Sequence, residues 1–203
     1  MSEIFGGFID DTARRPRGQW ARKHYGQPKS HMRAFEAAMA ALAPRGDDVY
    51  LEIGCGGGYF LDMVLAKVQR AAAIDHSADM AALARQKNQR AVEQGRLEVV
   101  HGDAEKLPWP DESFTCTANT AMWFFVRRPE AVLAELRRVL KPGGRIVIAT
   151  ARKSLLNRLL WAVYGLNLYD DQQMAGMLGR AGFVEIKIER QGLLGQLATA
   201  RKA

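Results

Sequence analysis

The residues best placed to do chemistry lie in Val49-Tyr50-Leu51-Glu52-Ile53-Gly54-Cys55-Gly56-Gly57-Gly58-Tyr59-Phe60-Leu61, a β-prone run that passes through glycines into a helical pattern. Gly54, Gly56 and Gly58 remove side chains where the backbone must turn and approach a ligand. The start of the following helix offers unpaired N–H groups that attract negative charge. About twenty residues on, Asp75 closes the next β-prone run, where an acidic residue can accept both hydroxyls of a ribose in nucleotide-binding α/β folds. Together these features predict an adenosine-containing ligand. A phosphate-cradling loop would end Gly-Lys-Ser/Thr, and this one ends Gly58-Tyr59-Phe60, so that reading fails. A dinucleotide fingerprint begun at Gly54 would need glycine or alanine at position 59. Tyr59 obstructs the close approach, which weakens that reading but leaves it open.

The remaining pattern, Glu-x-Gly-x-Gly-x-Gly, resembles the first motif of class I S-adenosylmethionine-dependent methyltransferases, in particular the small-molecule group with a methyltransferase-11-like domain. Further blocks follow in the family's order between about Asp48 and Thr150. They are Asp75, then Gly102-Asp103-Ala104 with Leu107-Pro108-Trp109-Pro110, then Phe114 through Asn119, then Leu136 through Gly144. The resemblance implies that Glu52, Gly54, Cys55, Gly56 and Gly58 contact the methionine portion of S-adenosylmethionine and that Asp75 holds the ribose with His76 beside the adenine. It further implies that Asp103 meets the adenine amino group, Ala104 lies at the ring edge, and Asn119 and Thr120 sit under the sulfonium. By residue type alone, Cys55 reads as a small apolar filler, because nothing nearby supplies a metal set or a base. No metal is expected. Gly143 and Gly144 read as helix-stop and turn residues.

The reaction implied is in-line displacement of the methyl group onto a small-molecule acceptor, driven mainly by proximity and yielding S-adenosylhomocysteine. If a proton must be removed from the acceptor, His24, Tyr25 and His31 are the candidates, because they lie in the N-terminal segment that in this family often closes over the site. Substrate contacts are expected from that segment, from the loop after the fourth strand and from the insertion after the fifth, which nominates Trp20, Tyr25, Trp123, Phe124 and Tyr164. A His-His pair common in related enzymes near Met122-Trp123-Phe124 is absent, which puts a quinone or sterol acceptor in doubt. Two alternatives stand beside this reading. One is methyl transfer to RNA or anionic phospholipid through the basic residues Arg14, Arg15, Arg17, Arg22, Lys23, Lys29 and Arg33, which have no acid between Asp11 and Glu36. The other is a scaffold that binds S-adenosylmethionine without turnover. Nucleic acid and a membrane surface are thus open but less favoured partners, and the expected assembly is a monomer or homodimer.

The elements that must position these residues follow from periodicity. Apolar residues at Met32, Phe35, Met39 and Leu42 predict a helix over Ser30–Leu42 that stops before Pro44. Five short runs, 48–53, 71–75, 97–101, 114–119 and 145–150, alternate with helical segments, which predicts a parallel sheet covered on both faces. Helices are expected over Tyr59–Val68, from a Ser77 cap through Val92 to a stop at Gly95, from Pro129 to Leu140, and from Asp170 or Asp171 to Ala181. Strands at 183–189 and 196–201 close the chain. With the resemblance, the expected fold is a Rossmann-like class I methyltransferase fold. It has a mainly parallel seven-stranded sheet, helices on both faces and the last strand antiparallel.

At 203 residues, 48% hydrophobic and 25% charged, the chain fits one domain with a sizeable core and excludes disordered or disulfide-scaffold classes. Within it, 1–45 form an arm and helix acting as a lid, 46–150 the cofactor-binding core, 151–169 a cap insertion, and 170–203 a C-terminal helix and strands. The formal charge of +7 suits an anionic partner without choosing one. Two cysteines in no C-x-x-C pair argue against zinc or redox chemistry. No uninterrupted apolar run of about 18 residues occurs. The first ten residues lack the features of a secretory signal, so the expected compartment is the cytoplasm.

Overall fold

The computed structural model describes residues 31–160 and 165–203. Its strands are Val49–Ile53 (β1), Arg70–Asp75 (β2), Leu97–His101 (β3), Phe114–Thr120 (β4), Leu140–Ala151 (β5), Phe183–Gln191 (β6) and Gly195–Lys202 (β7). They form one seven-stranded sheet in the order β3-β2-β1-β4-β5-β7-β6. The first five run parallel, and β7 lies antiparallel between β5 and β6. This is the predicted Rossmann-like class I fold. Burial on both faces explains why the inner strands lack polar alternation: β2 is Ala71-Ala72-Ala73-Ile74-Asp75 after Arg70, every one of these five buried.

Helices Met32–Leu42 (α1), Tyr59–Leu65 (α2), Ala78–Lys87 (α3) and Gln89–Glu93 (α4) cover one face, packing around Tyr50, Ala73, Cys116 and Val147. On the other face Pro129–Val139 (α5) and Asp171–Arg180 (α7) pack against Leu51, Ile53, Ile74, Ile146 and Ile148. The short helix Leu155–Leu160 (α6) follows β5. Local chemistry sets these boundaries. In α1, Phe35, Ala38 and Leu42 make the buried stripe and Ala43 ends it in a left-handed turn before Pro44. Ser77 Oγ accepts the Met80 N–H at the head of α3. Asp170 and Gln173 form a reciprocal capping box at the head of α7.

Three boundaries differ from expectation. The helix read as Ser77 through Val92 is broken at Asn88, whose buried amide donates to the carbonyls of Gly58 and Ala84. The helix after the glycine loop ends at Leu65 instead of Val68. The Pro142-Gly143-Gly144 segment, read as a turn, lies inside β5. There Phe114 pairs with Leu140 and Cys116 with Arg145, so the extra residues form a bulge with Gly143 at φ 73.

The order of strands fixes where a ligand can go. From β1 the chain builds outward through β2 to β3, then crosses to β4 on the other side of β1. The crevice at the carboxyl ends of β1 and β4 is therefore the switch point of the sheet.

Candidate functional site

Gly54, Gly56 and Gly58, three of the four glycines after β1, do different work. Each has positive φ, but a Cβ at Gly54 would come within 2.4 Å of Met122 Cγ, and a Cβ at Gly56 would meet no atom within 4 Å. A Cβ at Gly58 would press on Asn88 Nδ2 at 2.8 Å and Ala84 Cα at 2.9 Å. Gly56 therefore faces open space, Gly54 lies under Met122, and Gly58 lets α2 pack against α3. The loop is tied down by Gly54 N–H to the Ile74 carbonyl at 2.8 Å and Gly58 N–H to the Cys55 carbonyl at 2.9 Å.

Asp75 sits at the centre of the arrangement, only 6% exposed. Its Oδ2 accepts the Gly56 N–H at 2.8 Å and its Oδ1 accepts the Ser77 N–H at 2.9 Å. Burial pushes its carboxyl above the usual range, opposed by those two N–H groups and by the nearby rings of His76 and His101. His76 Nδ1 stands 4.0 Å from Oδ1, and its carbonyl meets His101 Nε2 at 3.2 Å. From here a cleft of about 400 Å³ runs toward the loop after β3 and the start of α5. That volume suits a small cofactor. Its walls include Ile74, Ala104, Phe125, Val126 and Val132, and its rim includes Asp103 and Arg128. Asp103 is exposed, and its Oδ1 accepts the Glu105 N–H at 2.9 Å. Arg128 pairs with Glu105 across the mouth.

Beneath the loop, Glu52 is fully enclosed and accepts a hydrogen bond from the Tyr50 hydroxyl at 3.2 Å. Burial holds its carboxyl well above the usual range; the Tyr50 bond opposes this and the Asp75 charge reinforces it. Cys55 packs in the core, and burial pushes its thiol well up, so it fills space and carries no reactive thiolate. Asn119, near the end of β4, is buried with neither amide atom hydrogen-bonded among the described residues, and Thr120 beside it is half-buried. The next residue, Ala121, holds φ 55, a strained turn for a residue with a side chain.

Glu52, Cys55, Gly56, Gly58, Asn119 and Thr120 lie outside the cleft walls, whereas Gly54, Asp75, His76, Asp103 and Ala104 line them. Among the nominated substrate residues, Trp123 is fully buried, with Nε1 unpaired among the described residues, and Phe124 is half-buried against Phe125, ring centres 4.6 Å apart. Trp20, Tyr25 and Tyr164, and the base candidates His24 and Tyr25, lie outside the described residues. His31 is described: it precedes α1 and stacks on Phe35, and burial lowers its pKa below the ordinary imidazole value. Sequence reasoning did not single out Val126 or Arg128. The available signal was the step from β4 to Pro129: a 3-10 turn over Trp123–Phe125 sends Trp123 inward, while Phe125 lines the cleft.

Residues 51–148 match the family model described as Methyltransferase domain. A demethylmenaquinone methyltransferase from Clavibacter sepedonicus is 37% identical over 112 residues, covering 55% of this chain and 44% of the relative. The chain spans less than half the length of the curated relatives it matches. Among solved structures, the geranyl diphosphate C-methyltransferase of Streptomyces coelicolor A3(2), in complex with Mg2+, geranyl diphosphate and S-adenosyl-L-homocysteine, aligns with TM-score 0.75 at 15% identity. That alignment covers 99% of this chain and 97% of the other. The [4+2]-cyclase SpnF aligns with TM-score 0.71 at 21% identity, covering 84% and 80%. At such identities the likeness shows the fold alone.

Proposed function

Residues 51–148 constitute a methyltransferase domain of the class I S-adenosylmethionine-dependent family, and on that premise we propose that this chain transfers a methyl group from S-adenosylmethionine to a small organic acceptor. The observation that carries the reading is Asp75. Its buried carboxylate is fixed by two backbone N–H groups and keeps further lone pairs for a pair of vicinal hydroxyls. The surrounding residues fit the same ligand. Gly56 opens space beside Asp75, the apolar walls suit a planar base, and Asp103 at the rim offers an acceptor to an amino group.

Bound there, S-adenosylmethionine supplies a methyl group on a cationic sulfur that needs no further activation. The task left to the chain is orientation and exclusion of water. Holding two reactants in line can lower a barrier by on the order of 7 to 11 kcal/mol. Asp75 and the N–H groups it holds orient the ligand, while Met122, Phe125 and Val126 present apolar surface that keeps water out of the cleft. Burial favours the neutral form of Glu52, which limits charge repulsion with Asp75. The Phe124–Phe125 pair next to Met122 supports an acceptor with an apolar body.

Binding without methyl transfer is the second reading, since one fold hosts more than one chemistry. The two separate in one experiment on the full chain: calorimetry with S-adenosylhomocysteine, and labelled-methyl transfer from S-adenosylmethionine to extracts fractionated into small molecules, lipids, RNA and protein. Methyl transfer predicts product binding and label in the small-molecule fraction. Binding with no label in any fraction selects the second reading, and no binding removes both.

A further inference from the structure

Several leucines stand in solvent near the carboxyl end of β5. Helix α6 exposes Leu155 and Leu159 at 75% and 70%, and the turn between β6 and β7 exposes Leu193 at 83%, with Leu194 beside it. A turn at the tip of a hairpin ordinarily carries polar or glycine residues. Here Gly192 supplies the positive φ and two leucines follow it. Single surface leucines need no explanation, but these belong to two elements that the protein fastens together. The Arg152 N–H donates to the Leu194 carbonyl at 2.8 Å. The wholly buried Asn157 donates from Nδ2 to the carbonyls of Arg152 at 2.7 Å and Leu194 at 2.8 Å. Ser154 Oγ accepts the Asn157 N–H and starts α6. Holding the hairpin tip against the start of the helix thus occupies a buried amide, and the result is to fix exposed leucines in place.

The charge beside them has one sign in excess. From Arg152 to Tyr169 the chain has three basic residues and no Asp or Glu. Arg152 and Arg190 share the single carboxylate of Asp171, each at 3.1 Å, so this trio keeps a positive charge. Lys153 Nζ donates to the neutral amide oxygen of Gln173, at 3.3 Å. Projecting apolar tips beside a group with cations in excess match a soft anionic surface, where leucines enter the acyl boundary and cations meet phosphates. Among the described residues no helix is long and apolar enough to cross a membrane.

We propose that Leu155, Leu159, Leu193 and Leu194, with Arg152, Lys153 and Arg190, form a docking surface for an anionic lipid bilayer. The surface lies at the sheet edge that also bears the cleft, since β1 and β5 run parallel and both end there. Docking would therefore set the cleft near the membrane interface, whatever reaction the cleft performs.

Flotation of the full chain with vesicles of equal parts phosphatidylcholine and phosphatidylglycerol, against phosphatidylcholine alone, tests this. The expected result is binding to the anionic vesicles that weakens as salt is added. Leu193→Asp should lower the partition about tenfold or more, and Leu155→Asp should lower it again. Lys153→Glu should weaken it less. All three side chains lie outside the core, so the variants should keep the unaltered melting curve and affinity for S-adenosylhomocysteine, which separates lost docking from lost folding. Absence of flotation overturns the proposal. So does flotation unchanged in the double leucine variant, which would place the lipid contact elsewhere. Sedimentation velocity supplies a third result against it: a dimer that the leucine variants split would make this surface a contact between copies of the chain.

Discussion

The half of the sheet that carries β1, β2 and β3 and the half that carries β4, β5 and β7 treat buried polar groups in opposite ways. In the first, Asp75 takes N–H groups from Gly56 and Ser77, Asn88 donates to two carbonyls, and Glu52 accepts from Tyr50. In the second, Thr117 Oγ1, both amide atoms of Asn119, Trp123 Nε1 and Gln196 Oε1 are buried without a hydrogen-bond partner among the described residues. A buried polar atom left unpaired costs roughly 1–3 kcal/mol, so these four side chains, with Asn157 Oδ1 in α6 as a fifth, represent a sizeable penalty on one side. The β1–β3 side is a finished binding surface, satisfied by its own backbone. The β4–β7 side retains polar capacity that the protein does not use itself.

The largest expected effect falls on the finished side. Asp75→Ala removes charge-assisted hydrogen bonds to Gly56 in the loop and to Ser77 at the head of α3, as well as the acceptor for a ribose, so calorimetry should show affinity for S-adenosylhomocysteine falling about a hundredfold or more. Asp75→Asn keeps the shape and separates charge from geometry. Because burial raises the Asp75 pKa in the protein without ligand, and hydroxyl donors favour the ionised form, affinity should be full at high pH. It should fall on acidification beginning above the ordinary carboxylate range. The stability term has the opposite sign: a carboxyl raised by folding stabilises the fold below its unfolded pKa, and that contribution is lost as pH rises through the folded value. In Asp75→Asn both dependences should flatten. An unchanged affinity in Asp75→Ala would erase the distinction between the two halves.

The glycine loop sharpens the comparison within the first half. Gly58→Ala forces a Cβ against the α3 backbone at positive φ, and denaturant unfolding should register a loss of about 3 kcal/mol. Gly54→Ala meets only the flexible Met122 side chain, so about 1–2 kcal/mol is expected, and Met122→Ala should relieve part of it. Equal costs at the two positions would mean that the loop, not its packing partner, sets the requirement for glycine.

Those glycines also mark how far the fold could be read from the chain alone. The strand–glycine–helix run and Asp75 are local patterns, and the parallel sheet follows from alternation of short apolar runs with helical ones. The division of labour between Gly56 and Gly58 is not local, because what presses on Gly58 is Ala84 and Asn88 on the next helix. The break at Asn88 is hidden for the same reason: the apolar period runs through it, and only the long-range hydrogen bond to Gly58 makes the break useful. After β4 the chain offers Met122, Trp123, Phe124 and Phe125 in succession, all apolar. Which of them faces the cleft depends on one strained turn at Ala121 that residue types do not announce. The bulge in β5 shows the converse, since Pro142-Gly143-Gly144 reads as a turn and the sheet absorbs that turn without ending the strand.

The smallest effect makes the cleanest test, a pair of asparagines compared by one substitution. Asn88 and Asn119 are both buried, but Asn88 spends its amide on the carbonyls of Gly58 and Ala84 and Asn119 bonds to nothing among the described residues. Asn88→Leu should cost about 1–2 kcal/mol in chemical denaturation, because the Gly58 and Ala84 carbonyls lose the amide donor that supplements the backbone N–H each keeps. Asn119→Leu should be nearly neutral, because it replaces an unsatisfied amide by an apolar group of similar size. If Asn119 serves a ligand, the same variant should lose methyl transfer while keeping its melting temperature. Loss of stability at Asn119 equal to that at Asn88 would show that the amide is satisfied in solution, and the β4–β7 side would then be as complete as its neighbour.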